Sequence, residues 1–235
     1  MDARSNHSDR LFGVGIYSVP EAHRLTGVPS QRIRRWLRGY EYRYRSHWRF
    51  SPKIWKPQLP SVDHELMLGF WDLLEIRFVD AFLEEGISLQ KIRHAVAAAR
   101  KLLKHTHPFS TKKFKTDGRS IFLEVSEQAG GKWLLDIIER QYQFWDVVWP
   151  SLYRGFEYSD VDEVARWWPM YPKRQVVIDP ARAFGQPIVH KWRIPTSSLA
   201  QAFETERSVG AVARWYGVSQ RAVEDAVKFE TKFGA

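Results

Sequence analysis

Residues 17–38 contain the start and stop signals of two short helices separated by a three-residue turn. Ser18 is a good N-cap for the first helix, Pro20 is tolerated in its first turn, and Glu21 completes a capping box with Ser18. Gly27 supplies the left-handed residue that a sharp helix stop needs. Two short helices joined by so short a glycine turn predict a helix-turn-helix.

The second of these helices is strongly basic. Pro29 and Ser30 begin it, with Ser30 expected as its cap, and apolar residues spaced three and four apart form its buried stripe. That stripe consists of Ile33, Trp36 and Leu37, and the outward positions are Gln31, Arg32, Arg34, Arg35 and Arg38. Arginine pairs with guanine and glutamine with adenine in the major groove, which favours a DNA-recognition helix. The alternative is that these arginines only keep a surface helix solvated.

A basic hairpin is predicted directly after this helix, within residues 40–57. Tyrosines at 40, 42 and 44 alternate with Glu41, Arg43 and Arg45, which is strand periodicity, and Ser46-His47 is the expected turn. In this position the hairpin is expected to be a wing whose Arg43 and Arg45 contact phosphate. Arginines interleaved with aromatic residues also suit single-stranded nucleic acid. The wing is favoured because the tyrosine face is expected to pack on the adjoining helices.

Positive charge is concentrated in the same segment. Residues 1–60 hold twelve Lys and Arg against four Asp and Glu, whereas residues 61–235 hold 24 against 23. A charge excess confined to one segment predicts a polyanionic partner for that segment, although a solvated basic face would give the same count.

Composition excludes several classes of protein. The chain has no cysteine, which rules out disulfides and thiolate zinc sites. The polar N-terminus is unlike a signal peptide, and no apolar run approaches the roughly 18 residues of a membrane span. We therefore expect a soluble, cytoplasmic protein that contacts no membrane. His105 and His107, with His94 upstream, are weak metal-ligand candidates, because His-Thr-His beside Pro108 is more typical of a solvated loop. No nucleophile or nucleotide-binding motif is complete. We expect no metal, no cofactor and no enzymatic activity.

The middle of the chain is predicted to mix helices and short strands. Residues 66–104 have the pattern of two helices, with a break at Gly86 and a cap at Ser88. An acidic run over 61–90 precedes a basic run over 91–116, and the basic run either extends the DNA contact or pairs with the acidic one.

Further along, Asp117-Gly118 is expected to be a turn and Ser120–Val125 a strand. Residues 133–148 are expected to be mostly helical, and residues 156–179 short strands that end in an apolar run. A domain boundary is predicted near residue 182.

The C-terminal segment predicts a second helix-turn-helix. Ser197 or Ser198 should cap a helix that ends near Glu206, Ser208 should cap residues 209–216, and Ser219 should cap residues 220–233 after a turn at Gly217-Val218. The last helix carries three basic and three acidic residues, so its charges balance. Acidic residues repel phosphate, which favours a protein–protein role for this module, the alternative being a small packed domain.

Two stretches resemble known families. Residues 17–22, 26–28 and 33–36, with residues 70–73 and 86–93, are similar to the MerR-like winged helix and its following helices. Residues 185–189 and 193–195, with Val212-Ala213, Tyr216-Gly217-Val218 and Val223 to Ala226, resemble the small helix-turn-helix domain common in VapB-type antitoxins. The combined arrangement is similar to the larger antitoxins of type II toxin–antitoxin modules. MerR-type metal sensors use cysteine, so metal sensing is not implied.

The resemblance implies a toxin partner with a PIN-like ribonuclease fold and repression of the module's own promoter. The expected architecture is mainly α (α+β), with a winged helix-turn-helix over 1–60, a connecting region of helices and short strands over 61–182, and a small helix-turn-helix over 183–235. We expect the protein to bind a double-stranded DNA operator as a homodimer. The alternative function is a stand-alone MerR-like regulator that responds to a small ligand, since eleven tryptophans offer the means to line an aromatic pocket.

Overall fold

A computed structural model describes residues 13–128, 146 and 148–233 of the chain, with only the backbone described at 122–128. Helices and strands are mixed, which confirms the α+β class. The helices are α1 (Val19–Thr26), α2 (Ser30–Arg38), α3 (Phe70–Glu84), α4 (Leu89–Leu103), α5 (Lys112–Gln128), α6 (Trp149–Leu152), α7 (Thr196–Glu206), α8 (Val209–Tyr216) and α9 (Gln220–Phe233). The strands are β1 (Tyr17–Ser18), β2 (Tyr40–Tyr44), β3 (His47–Ser51), β4 (Met67–Leu68), β5 (Phe156–Tyr158), β6 (Val164–Trp167), β7 (Val176–Ile178), β8 (Pro187–Val189) and β9 (Ile194–Pro195).

The first two helices begin and end where their signals predict. The side chains of Ser18 and Glu21 form the expected capping box at the start of α1, and Gly27 ends that helix with a left-handed φ of 78°. At the start of α2 the N-cap is Pro29 rather than Ser30, and no side chain caps the helix. Ser30 was the wrong cap because the proline at 29 already fixes φ at −55°, which places Ser30 in the first helical turn.

Strands β2 and β3 form an antiparallel hairpin, as predicted. The turn is Arg45-Ser46, one residue earlier than expected, since Tyr44 pairs with His47. Arg45 takes a positive φ of 53°, which tight hairpin turns require.

Helices α3 and α4 confirm the two predicted central helices, with Gly86 at the break and Ser88 accepting from the backbone of Lys91. The strand expected at Ser120–Val125 is wrong, because α5 runs through that segment. Gly118 does not mark a turn. It makes room for Trp149, since a Cβ at Gly118 would lie 2.2 Å from the indole carbon Cζ2. Close packing therefore explains the glycine. Most of the helix predicted over 133–148 lies outside the described residues.

The strands expected within residues 156–179 are present as β5, β6 and β7. They continue into β8 and β9 to form a five-stranded antiparallel sheet in sequential order. Val177 pairs with Ile188, so the sheet joins the chain on either side of residue 182.

The C-terminal helices α7 to α9 pack against one another around Leu199, Val212 and Val223. Ser208 and Ser219 cap α8 and α9 as predicted. The cap expected at Ser197 or Ser198 is wrong, because α7 already begins at Thr196 behind Pro195.

The segment around α1 contacts the C-terminal part of the chain. Arg24 of α1 forms an ion pair with Glu230 of α9 at 2.8 Å, and the buried hydroxyl of Tyr17 donates to the carbonyl of Gly185 at 2.8 Å. Burial raises the pKa of Tyr17, so the phenol stays neutral. In residues 13–128 and 148–233, no helix combines the length and apolar character of a membrane span.

Candidate nucleic-acid interface

Helix α2 has one buried and one exposed side. The buried residues are Ile33, Trp36 and Leu37. Successive helical residues are about 100° apart, so the positions roughly half a turn from the centre of this stripe face away from the core. The exposed residues on that opposite side are Gln31, Arg35 and Arg38, with Arg34 half-buried at its edge. Most of the predicted recognition residues therefore share one accessible face.

Arg32 lies on the flank of α2. Its Nη1 forms an ion pair with Oδ1 of Asp80 on α3 at 2.5 Å. The two residues are 48 positions apart in the sequence, so the contact joins α2 to α3. It occupies one end of the Arg32 guanidinium. Arg32 is therefore used inside the chain, in contrast to Arg35 on the same helix.

Arg38 and Arg35 also make intramolecular contacts, but of kinds that leave donors available. Nη2 of Arg38 donates to the carbonyl of His64. The guanidinium carbon of Arg35 lies 5.2 Å from the centre of the Tyr40 ring, a cation–π contact that leaves the N–H groups free to bond. Tyr40 thus orients Arg35 without using its hydrogen-bond donors.

The β2–β3 hairpin is exposed on both faces, because residues 41–50 are all solvent-accessible. The expectation that its tyrosine face packs on the adjoining helices is wrong: Tyr42 is 38% and Tyr44 48% exposed. Alternation along a strand fixes which residues share a face, but it leaves open whether another element covers that face. Arg43 and Arg45, the predicted phosphate contacts, are exposed.

The tyrosine face includes a basic residue that sequence reasoning missed. Arg49 of β3 pairs across the hairpin with Tyr42, and its guanidinium carbon lies 4.7 Å from the Tyr44 ring centre. The position of the turn decides which residues of β2 and β3 face each other. A turn predicted one residue too late therefore does not reveal that Arg49 faces Tyr42.

Contacts from α4 hold the base of the hairpin. Nη2 of Arg93 donates to the Ser51 hydroxyl at 3.0 Å and to the carbonyl of Pro52 at 2.7 Å. Partial burial lowers the pKa of Arg93. Arg100 donates to the carbonyl of Ile54 at 3.3 Å. The basic run over 91–116 thus supplies residues that position the hairpin.

A buried carboxyl group fixes the segment that follows. Asp72, fully buried near the start of α3, accepts hydrogen bonds from the Trp55 indole at 2.8 Å and from the backbone N–H groups of Gln58 and Gly69 at 2.9 and 2.8 Å. Nε2 of His107 lies 2.9 Å from the same carboxyl group. These hydrogen bonds to Asp72 fix the segment between the hairpin and α3 against the core.

Two of the three histidines named as metal-ligand candidates lie beside carboxyl groups. Nε2 of His105 lies 2.9 Å from Glu163, and His107 lies against Asp72. Among the described residues, no group of three or more metal-ligating side chains is present.

The C-terminal helices present a surface of different character. Trp215 and Tyr216, at the end of α8, are 72% and 37% exposed, with ring centres 6.1 Å apart. Arg221 and Asp225 of α9 form an ion pair at 3.8 Å. This surface combines exposed aromatic rings with balanced charge.

A cavity of about 480 Å³ opens between α5, α6 and the five-stranded sheet. It is lined by Trp149, Tyr153, Phe156, Trp168 and Tyr171, with Lys115, Arg154 and Arg174. Within the described part of the chain, the buried Tyr153 hydroxyl and Trp168 indole N–H make no hydrogen bond. Such a cavity suits a small aromatic anion.

Comparison with known proteins gives a family match near the C-terminal end and relatives that align over most of the chain. Residues 176–229 match the family described as "Protein of unknown function (DUF433)". The chain is 26% identical over 232 residues to the Mycobacterium tuberculosis protein named "Putative antitoxin VapB45", covering 92% of this chain and 94% of the relative. It is 24% identical over 232 residues to the "Uncharacterized protein Rv2308" of the same organism, covering 93% and 91%.

A solved structure has a similar fold. The crystal structure of Rv2018 from Mycobacterium tuberculosis matches with a TM-score of 0.63 at 21% identity, over 92% of this chain and 98% of the other. At this identity the likeness concerns the fold alone.

Proposed function

We propose that this chain is the antitoxin of a toxin–antitoxin module, which binds operator DNA through α2 and the β2–β3 hairpin and neutralises a PIN-like ribonuclease. The observation that carries the proposal is the similarity, over 92% of the chain, to a relative named as an antitoxin. The exposed basic side of α2 and the exposed arginines of the hairpin support the DNA-binding part.

In this proposal α1 and α2 act as a helix-turn-helix and the hairpin acts as its wing. Gln31 and Arg35 lie near the N-terminal and central parts of α2, where side chains reach base edges. Arg34, in the middle of α2, is half-buried at the edge of the exposed side. Arg38 lies at the helix end, and Arg43 and Arg45 lie on the hairpin, where phosphate is the nearer target. The direct test is a binding titration of the full chain, as the proposed homodimer, with its own promoter and with a scrambled duplex. Equal affinity for both duplexes would contradict operator recognition.

The hairpin arginines are expected to contribute affinity without sequence preference. Arg43→Ala and Arg45→Ala should each weaken binding to promoter and scrambled DNA by the same factor. Each should also reduce the slope of log affinity against log salt by about one unit, because each removes one phosphate contact. Salt titrations of both variants measure this, with Lys173→Ala, an exposed cation far along the sequence, as the control. A change confined to the promoter duplex would instead assign these residues to base reading.

We place the toxin contact on the C-terminal helices, because exposed aromatic residues with balanced surrounding charge suit a protein partner better than phosphate. Trp215→Ala should weaken the complex with the product of the neighbouring gene by about 2 kcal/mol or more, the range of aromatic hot spots. Isothermal titration calorimetry of the co-purified partners measures the loss. Val161→Ala, at an equally exposed apolar position, is the control. Unchanged affinity in Trp215→Ala would place the contact elsewhere.

The second candidate function is a regulator that responds to a small ligand, and the aromatic cavity between α5, α6 and the sheet favours it. The two functions differ in their partners. If the neighbouring gene product never co-purifies and a small aromatic anion changes the affinity for promoter DNA, the second function replaces the first.

A further inference from the structure

Two large aromatic side chains lie side by side on the outer face of the β2–β3 hairpin. Trp48 is 72% and Phe50 62% exposed, and they stand two residues apart on β3, on the face opposite the tyrosines. Exposed apolar area costs free energy in water, so neighbouring exposed aromatics are typical of a binding surface.

This aromatic pair, Trp48 and Phe50, begins next to the C-terminal end of α2. Gly39 joins α2 to β2, and the Phe50 ring lies so close that a Cβ at Gly39 would be 2.7 Å from its Cζ atom. Gly39 also takes a φ of 79°, which a side chain would disfavour. The glycine therefore allows the aromatic face to begin directly at the end of α2.

The hairpin that carries the aromatic pair has an excess of positive charge. Arg43 lies directly across the hairpin from Trp48, Arg45 forms the tip, and Arg49 separates Trp48 from Phe50 along the strand while pointing to the other face. Glu41, opposite Phe50, is the one acidic residue in β2 and β3. Flat aromatic rings within cationic surroundings match a nucleic acid, which combines phosphate charge with stacked apolar bases.

We propose that Trp48 and Phe50 form an aromatic wedge that inserts at a base step of the DNA next to the site bound by α2 and unstacks it. This inference rests on the proposed DNA-binding function and adds a direct contact with the bases to the phosphate contacts of the hairpin. Apolar side chains that enter a groove partly unstack one step, and flexible pyrimidine–purine steps yield most easily. The hairpin therefore selects DNA that deforms easily, in addition to the sequence that α2 contacts.

The test uses the full chain and a duplex from its own promoter, probed with permanganate, which oxidises unstacked thymines. Wild-type protein is expected to produce a hyperreactive thymine beside the protected region. Trp48→Ala with Phe50→Ala should abolish that reactivity at saturating protein and reduce affinity about 100-fold, about tenfold for each ring. The salt slope should stay unchanged, since no charge is removed. Trp48→Phe should keep the reactivity.

Phe184→Ala is the matched control, because Phe184 is a phenylalanine that is also 62% exposed but lies in the C-terminal segment. It should leave both affinity and thymine reactivity at wild-type values. If wild-type protein protects no region of the promoter, the proposed function itself fails. If it protects the promoter and the double variant binds equally well, the wedge is refuted while DNA binding stands. Loss of self-association, or of binding to anionic lipid vesicles, with DNA binding intact would assign the aromatic pair to those partners instead.

Discussion

Asp72→Ala is expected to lower the free energy of unfolding by about 3–5 kcal/mol, since removing a buried hydrogen-bonding carboxyl leaves several buried donors unpaired. Asp72 is fully buried and accepts from the Trp55 indole and from the backbone of Gln58 and Gly69, with His107 against the same oxygen as Trp55. Alanine supplies no acceptor, and the space is too enclosed for solvent to replace every bond. Urea denaturation at constant pH measures the loss.

Asp162→Ala is the control for this prediction. Asp162 forms an ion pair with Lys112 at 3.0 Å, but its side chain is 65% exposed, so the variant should lose at most about 1 kcal/mol. Asp72→Asn is a third arm, because the amide keeps the volume while placing a donor where the carboxyl group accepted. It should fall between wild type and alanine. Equal stabilities for the Asp72 and Asp162 alanine variants would contradict the assigned role of the buried carboxyl group.

The same residue connects folding to the interface. Trp55 and Gln58 lie in the segment that leads from the hairpin to α3, and Asp72 holds both. Arg93 and Arg100 hold the preceding residues from α4. Residues 41–50 of the hairpin are all exposed, so its orientation relative to α2 depends on these bonds at its base.

Local signals in the sequence predicted the helices well, because their physics is local. Ser18, Ser88, Ser208 and Ser219 each cap a helix through a bond that spans three residues. Each of these bonds is complete within one turn of chain. The starts of these four helices could therefore be derived without knowledge of the fold.

Two further errors arose where distant residues decide the outcome. Gly118 looked like a turn, but it is the place where α5 admits Trp149, 31 positions further along. The tyrosines of β2 looked like a packed face, but Tyr42 and Tyr44 are exposed, and of the three only Tyr40, nearest α2, is half-buried. Neither fact is encoded in neighbouring residues, so pattern alone could not supply it.

The candidate interface illustrates both cases. The sequence identified the basic helix and hairpin, because charge and periodicity are local properties. It could not rank the arginines of α2, because the residue that distinguishes Arg32 from Arg35 is Asp80, on another helix. The expectation that Arg35 contributes more to DNA recognition than Arg32 therefore rests on the structure.

Arg35→Ala is expected to cost about 1–3 kcal/mol of binding free energy on promoter DNA and to relax the preference at one base position, the usual effect of losing a bidentate base contact. Arg35 is exposed on the side of α2 opposite the core, and Tyr40 orients its guanidinium from 5.2 Å without taking its N–H donors. Binding titrations with promoter and single-substitution duplexes, at one fixed salt concentration, measure both quantities.

Arg32→Ala is the matched control, a substitution of the same residue type on the same helix three positions away. The guanidinium of Arg32 is paired with Asp80. To contact a base, Arg32 would first have to give up this ion pair. We expect a change of at most about 1 kcal/mol in stability, the usual value of a partly exposed ion pair. The loss of promoter affinity should be small and the same for every duplex.

Asp80→Ala separates the remaining alternatives, because it frees Arg32 without changing α2. If Arg32 is held only as a structural partner, Asp80→Ala should alter promoter preference little, and combining it with Arg35→Ala should leave the effect of Arg35→Ala unchanged. If Arg32→Ala costs as much discrimination as Arg35→Ala, the ion pair opens on binding and both arginines read bases. If neither variant changes affinity or discrimination, α2 is not the recognition helix, and the exposed arginines of the hairpin must bind a different polyanion.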